Sequence, residues 1–171
     1  MTGGEKTNSP YIVQLVIPQD EGKKPTRCTG TALNAEWVLT AAHYTEDAKT
    51  PDGISVFYSN DKQNPGQAIS SQNYVESNDA DLALIRLSAS HKLPNYARLA
   101  KNHKFTAGQT GFIYGYGRGF EGKTMDWLRR AQVEQVYTGH DRYWNTVTSS
   151  KALMEYRTTE IPADLSSSTT S

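Results

Sequence analysis

The chain has 171 residues, enough to bury a hydrophobic core without metal or disulfide staples. Eighteen basic and eighteen acidic residues give a formal net charge of zero, which argues against nucleic acid as a partner. The single cysteine, Cys28, excludes an internal disulfide and any CxxC zinc or redox site, so we expect no metal and no cofactor. No apolar run reaches the ~18 residues that cross a bilayer, and we expect no membrane partner.

Apolar residues recur along the chain in short runs and not at helical spacing. A helical turn is predicted only at residues 41–48, and a polar linker at 92–105. Many short strands separated by Pro- and Gly-rich turns predict an all-β fold, either a sandwich or a barrel. The predicted strands cover residues 11–17, 27–33, 37–40, 54–58, 82–87, 111–117 and 128–137.

Two segments stand out for their chemistry. Residues 37–43 read Trp-Val-Leu-Thr-Ala-Ala-His and end an apolar strand in His43, while residues 81–87 open another strand with Asp81. Imidazole and carboxylate are the base and the orienting acid of a nucleophilic triad. The sequence therefore predicts His43 and Asp81 as catalytic residues.

These segments, with Cys-Thr-Gly-Thr-Ala-Leu at 28–33 and the glycine-bounded strand at 108–117, resemble the chymotrypsin/trypsin-like serine proteases. The likeness runs from residue 3 to about residue 157 and keeps the order His before Asp. It implies a trypsin-like double antiparallel β-barrel with the catalytic residues in the cleft between the barrels. The implied organisation is a first barrel at 1–98, a partial second barrel at 99–160 and a Ser/Thr-rich mobile tail at 161–171.

The resemblance also implies a serine within a Gly-Asp-Ser-Gly-Gly-Pro motif, and the 171 residues contain no such segment. We expect the second barrel to be incomplete and the chain alone to have no peptidase activity. The serines of the tail at 166–168 and 171 lack the rigid turn and oxyanion donors that a nucleophile needs. Tyr44 stands where the family usually has the cysteine that pairs with the one at Cys28.

Alternatives remain for the individual residues. Asp79 lies two residues before Asp81 and competes with it, but in the family the acid directly precedes the Leu-Ala-Leu run, which favours Asp81. The remaining histidines, His91, His103 and His140, have polar neighbours and are interpreted as solvated surface residues.

Three functions are compatible with this pattern. The first is a trypsin-like serine endopeptidase in which this chain supplies His and Asp, with a protein or peptide substrate and a complementing C-terminal chain. The alternative is a catalytically inactive homologue that acts as a protein-binding module, and the third is an unrelated ligand-binding β-barrel. On family grounds alone we expect a secreted, extracellular protein.

Overall fold

A computed structural model of the protein describes residues 4–20, 22–46, 48–117, 126–140 and 145–153. Within these ranges the regular secondary structure is almost entirely β-strand, with one short 3-10 turn at Ala42–Tyr44. The strands are β1 (Glu5–Lys6), β2 (Ile12–Ile17), β3 (Thr26–Ala32), β4 (Trp37–Thr40), β5 (Ser55–Phe57), β6 (Ile69–Glu76), β7 (Ala83–Leu87), β8 (Thr110–Gly115), β9 (Arg129–His140) and β10 (Thr146–Ala152).

Six of these strands form a closed antiparallel barrel in the order β2-β3-β4-β7-β6-β5, with β5 pairing back onto β2. Alternation along β7 separates the interior of the barrel from its outer surface: Ala83, Ile85 and Leu87 are buried, whereas Leu84 and Arg86 point outward and are exposed. Closure leaves none of the six strands with an unpaired edge. The fully buried side chains of the barrel interior include Val13, Leu15, Ile17, Val38, Ile54, Val56 and Ile85.

Gly30 lets the barrel pack tightly at the middle of β3. A Cβ atom at this position would lie 2.6 Å from Cγ1 of Val38 and 3.1 Å from both Leu15 Cδ1 and Val13 Cγ2. Real Cβ atoms do not approach side chains so closely, so any larger residue would push the neighbouring core residues apart. The Gly in the segment 28–33 is therefore required by packing inside the first barrel.

The remaining four strands form a second sheet around β9, which pairs with β1, β8 and β10. In the part of the chain that the structure describes, this sheet does not close. Several of its large apolar side chains are exposed, with Phe112 at 48% and Tyr137 at 62%. An apolar sheet face of this kind is a surface that another part of a barrel would cover.

The barrel and the second sheet are joined by a half-buried hydrogen-bond cluster at Asn60. Its side-chain amide accepts from the Ser9 N–H at 2.7 Å and donates to the Tyr116 hydroxyl at 2.9 Å and to the Ile12 carbonyl at 3.3 Å. Tyr116 packs with Ile12 and Leu128 in a second, smaller hydrophobic cluster. The two sheets therefore share both polar and apolar contacts.

The expected fold class, an all-β trypsin-like double barrel, is confirmed, with one closed barrel and a second sheet. Each predicted strand is observed within a few residues of its expected bounds, and the predicted turn is shortened to Ala42–Tyr44. Strands β1, β6 and β10 were not predicted from the sequence. The linker at 92–105 contains no strand, and the tail at 161–171 lies outside the described residues.

Candidate active site

His43 is positioned by the end of β4. This strand pairs with β7 in a register that places Thr40 opposite Ala83, so the chain leaving β4 passes beside the start of β7. Ala41 is extended, with φ −85° and ψ 141°, and Ala42, the first residue of the 3-10 turn, is buried. The local backbone therefore brings His43 next to the residues that precede β7.

Asp81 lies just before β7 and contacts His43 with both of its carboxylate oxygens. Oδ1 accepts the backbone N–H of His43 at 2.9 Å, and Oδ2 lies 2.6 Å from Nδ1 of the imidazole ring. The second distance is that of a short, charge-assisted hydrogen bond. The two residues that the sequence singled out, 38 positions apart, are thus in direct contact.

This contact determines where the imidazole can act. A carboxylate only accepts hydrogen bonds, so Nδ1 carries the proton toward Asp81 and the lone pair of the neutral ring lies on Nε2. The His43 side chain is 47% exposed and that of Asp81 36%. The ring is thus held from one side and remains accessible to a reacting hydroxyl group, as a general base requires.

Asp79, the competing carboxylate, is exposed and takes no part in the contact with His43. Its backbone carbonyl accepts a hydrogen bond from the side-chain amide of Asn145, which belongs to the second part of the chain. The loop that carries Asp81 is therefore touched by residues beyond the first barrel, as expected for a site between two sheets.

Tyr44 fills the space beside His43. The ring centroids of the two residues are 4.1 Å apart, and the Tyr44 ring also packs against the barrel core that contains Cys28. Burial, and to a lesser extent Cys28 and Asp81, raises the pKa of the Tyr44 hydroxyl. Burial raises the pKa of the Cys28 thiol to about 12, so this cysteine is a neutral, buried side chain at physiological pH.

The other histidines differ from one another. His91 is not the freely solvated residue expected from the sequence: it is half-buried, and its ring lies 4.0 Å from that of Tyr58, because the turn after β7 folds back onto the barrel. His103 is exposed beside Gln135, and His140 is exposed in β9. The tail serines at 166–168 and 171 lie outside the described residues.

Sequence reasoning missed two residues behind the turn, Thr45 and Glu76, whose side chains are 2.6 Å apart. No motif marks them, because the contact joins the turn to a strand that the sequence did not predict. Within the described ranges, no cluster of three or more His, Cys, Asp or Glu could hold a metal ion. None of the helical segments described here is long and apolar enough to span a membrane.

The chain is similar to known proteases in both sequence and structure. The family model "Trypsin" matches residues 2–160. Transmembrane protease serine 11E of Mus musculus is 33% identical over 129 residues, which are 66% of this chain and 29% of that protein. The crystal structure of scabies mite inactivated protease paralogue S-I1 is similar with a TM-score of 0.65 and 28% identity, over 80% of this chain and 66% of that one.

The chain thus spans less than a third of the curated relative's length and about two thirds of the solved structure. The family model covers nearly the whole chain, and the fold agrees with it. The chain belongs to the trypsin family.

Proposed function

We propose that this chain supplies the general base, His43, and its orienting acid, Asp81, of a trypsin-like serine endopeptidase. The single observation that carries the proposal is the two-oxygen contact between Asp81 and His43, at 2.9 Å to the backbone N–H and 2.6 Å to Nδ1. A structural histidine on a barrel surface would not need its backbone and its ring held by the same carboxylate.

The proposed chemistry follows from the tautomer. Nε2 of His43 removes the proton from a serine hydroxyl as that oxygen attacks the scissile carbonyl carbon, and later returns the proton to the leaving amine. Asp81 keeps Nδ1 protonated, fixes the ring plane and stabilises the imidazolium while it exists. The substrates are peptides or proteins.

The serine itself comes from polypeptide outside the 171 residues, since they contain no Gly-Asp-Ser-Gly-Gly-Pro segment. Exposed apolar side chains on the second sheet, among them Phe112 and Tyr137, offer apolar surface for that polypeptide to cover. Because the oxyanion donors come from the same missing polypeptide, we expect the chain alone to have no measurable peptidase activity.

Complementation tests this proposal. The chain is mixed, or co-expressed, with a family fragment that carries the serine motif, and hydrolysis of a peptide ester is measured. Activity that appears only in the mixture and is lost with His43→Ala supports the proposal. Activity that persists in His43→Ala contradicts it, as does labelling of this chain alone by a fluorophosphonate probe, which would reveal a nucleophile within the 171 residues.

A second candidate is a catalytically inactive homologue that serves as a protein-binding module. The observation that favours it is the similarity to a solved protease paralogue that is named as inactivated. A complemented, folded mixture that hydrolyses no ester and yet captures a defined partner protein would favour this candidate. The binding-module candidate does not account for the His43–Asp81 contact, since a binding module needs neither a general base nor its orienting acid. For that reason we place it second.

For location, we propose that the protein acts outside the cell, on family grounds. Release of the full-length protein into the medium of expressing cells supports this proposal, and retention inside the cells contradicts it.

A further inference from the structure

The 3-10 turn that carries His43 is bound at two points to the hairpin formed by β6, the loop after it and β7. The loop of residues 77–82 connects β6 to β7 and is closed by a hydrogen bond from the Ser77 N–H to the Leu82 carbonyl at 2.9 Å. Asp81, at one end of this loop, binds His43. Glu76, at the other end, pairs with Ala83 in the sheet and binds Thr45, two residues after His43.

The second attachment is buried. Thr45 has no solvent exposure, and its hydroxyl oxygen lies 2.6 Å from Oε1 of Glu76, within the range of a charge-assisted O–H···O⁻ bond. The Ala42 carbonyl is a second acceptor at 2.9 Å. The Tyr74 hydroxyl donates to the Thr45 carbonyl at 3.2 Å, so β6 binds both the side chain and the backbone of this residue.

The turn needs such support because it is weak on its own. It spans only Ala42–Tyr44, and no side chain caps its first residue. A single 3-10 turn has poor hydrogen-bond geometry and little intrinsic stability. Its position relative to Asp81 therefore depends on contacts made outside the turn.

We propose that Thr45 and Glu76 are positioning residues that hold His43 within hydrogen-bond distance of Asp81, the arrangement that leaves Nε2 free to accept a proton. The Glu76–Thr45 bond fixes the end of the turn against β6, while Asp81 binds the backbone N–H and the ring of His43. The inference deepens the proposed function and rests on it for its catalytic meaning, but the geometry it concerns can be measured without turnover.

The test follows the His43 Nδ1 proton by NMR in the full 171-residue chain. Its solvent-exchange rate is compared with that of backbone amides in β2, which report global opening. The variants are Thr45→Val and Glu76→Gln, which remove the charge-assisted bond, and Thr45→Ser, which keeps the hydroxyl. Glu36→Gln, at the exposed tip between β3 and β4, is the control for the same change of charge.

We expect Thr45→Val to accelerate exchange of the Nδ1 proton about tenfold, as the loss of one hydrogen bond to a charged group implies. Glu76→Gln, whose amide oxygen still accepts a neutral hydrogen bond from Thr45, should accelerate it less. Exchange of the β2 amides stays unchanged, and Thr45→Ser and Glu36→Gln resemble the parent chain. The inference is overturned if Nδ1 exchange does not change in Thr45→Val, or if it accelerates only in proportion to the β2 amides. Failure of the complemented enzyme to cleave a substrate would count against the proposed function and not against this positioning role.

Discussion

Asp81 binds the backbone N–H and the ring of His43 with its two carboxylate oxygens, at 2.9 and 2.6 Å. One side chain thereby fixes both the place of the residue and the direction of its imidazole. A substitution at Asp81 should consequently disturb the tautomer and the ring plane together, which separates this residue from a merely neighbouring carboxylate.

Asp81→Asn is the direct check of this relationship. An amide can present its NH₂ group to Nδ1, which shifts the ring proton to Nε2 and removes the base. In the complemented enzyme we expect kcat to fall by ~10⁴, the scale found when the acid of such a triad becomes an amide. Asp79→Asn, which makes the same change on an exposed neighbour, should reduce kcat far less. Equal losses in the two variants would refute the assignment of Asp81.

Asn60→Ala tests the junction between the two sheets. The substitution removes the acceptor of the buried Ser9 N–H and the donor to the Tyr116 hydroxyl, which keeps its own hydrogen bond to the Ile12 carbonyl. We expect the free energy of unfolding in urea to fall by about 2 to 3 kcal/mol. Asn102→Ala, at an exposed position, should change it by less than about 0.5 kcal/mol. A junction variant as stable as this control would show that the cluster contributes little.

Tyr44→Cys tests whether the turn that carries His43 can form the disulfide to Cys28 that the family usually has. Tyr44 packs against the core containing Cys28, and a disulfide between these positions would stabilise the fold by ~3 kcal/mol. Thiol titration should find no free thiol in the oxidised variant, and dithiothreitol should lower its melting temperature. Tyr44→Ser controls for loss of the ring. Two free thiols under oxidising conditions would contradict the prediction.

Stability should decline in alkaline solution. Burial raises the pKa of Cys28 from 9.0 to about 12, and mainly burial raises those of Tyr58 and Tyr116 from 10.0 to about 12. Because the folded pKa values are the higher ones, this stabilisation is complete below pH 9.0 and is lost as the pH rises toward about 12. Urea midpoints should fall steadily from about pH 9 upward. Cys28→Ala should delay the onset of the fall, and a flat profile up to about pH 11 would contradict the prediction.

The first barrel was largely predictable because its strands are short apolar runs. In β7 the buried Ala83, Ile85 and Leu87 stand at every second position, whereas nearly all of β2 is buried. The His43 and Asp81 positions were predictable because each directly adjoins such a strand. The apolar strand pattern and the family motif therefore predicted the same two site residues.

Strand β6 escaped prediction because a serine occupies one of its core positions. Ser71 is only 2% exposed, yet its hydroxyl is satisfied by the Ile54 N–H at 3.1 Å and the Pro51 carbonyl at 2.7 Å. A polar residue buried in this way interrupts the apolar pattern from which strands are inferred. The Thr45–Glu76 bond was hidden for the same reason, since Glu76 ends the unpredicted strand.

Closure of the first barrel has a consequence for how the site is assembled. His43 and Asp81 lie beside β4 and β7, which pair with each other inside the closed barrel. Under the proposed function the acid–base pair is therefore already formed before other polypeptide covers the second sheet, and that polypeptide has to bring only the nucleophile and its oxyanion donors.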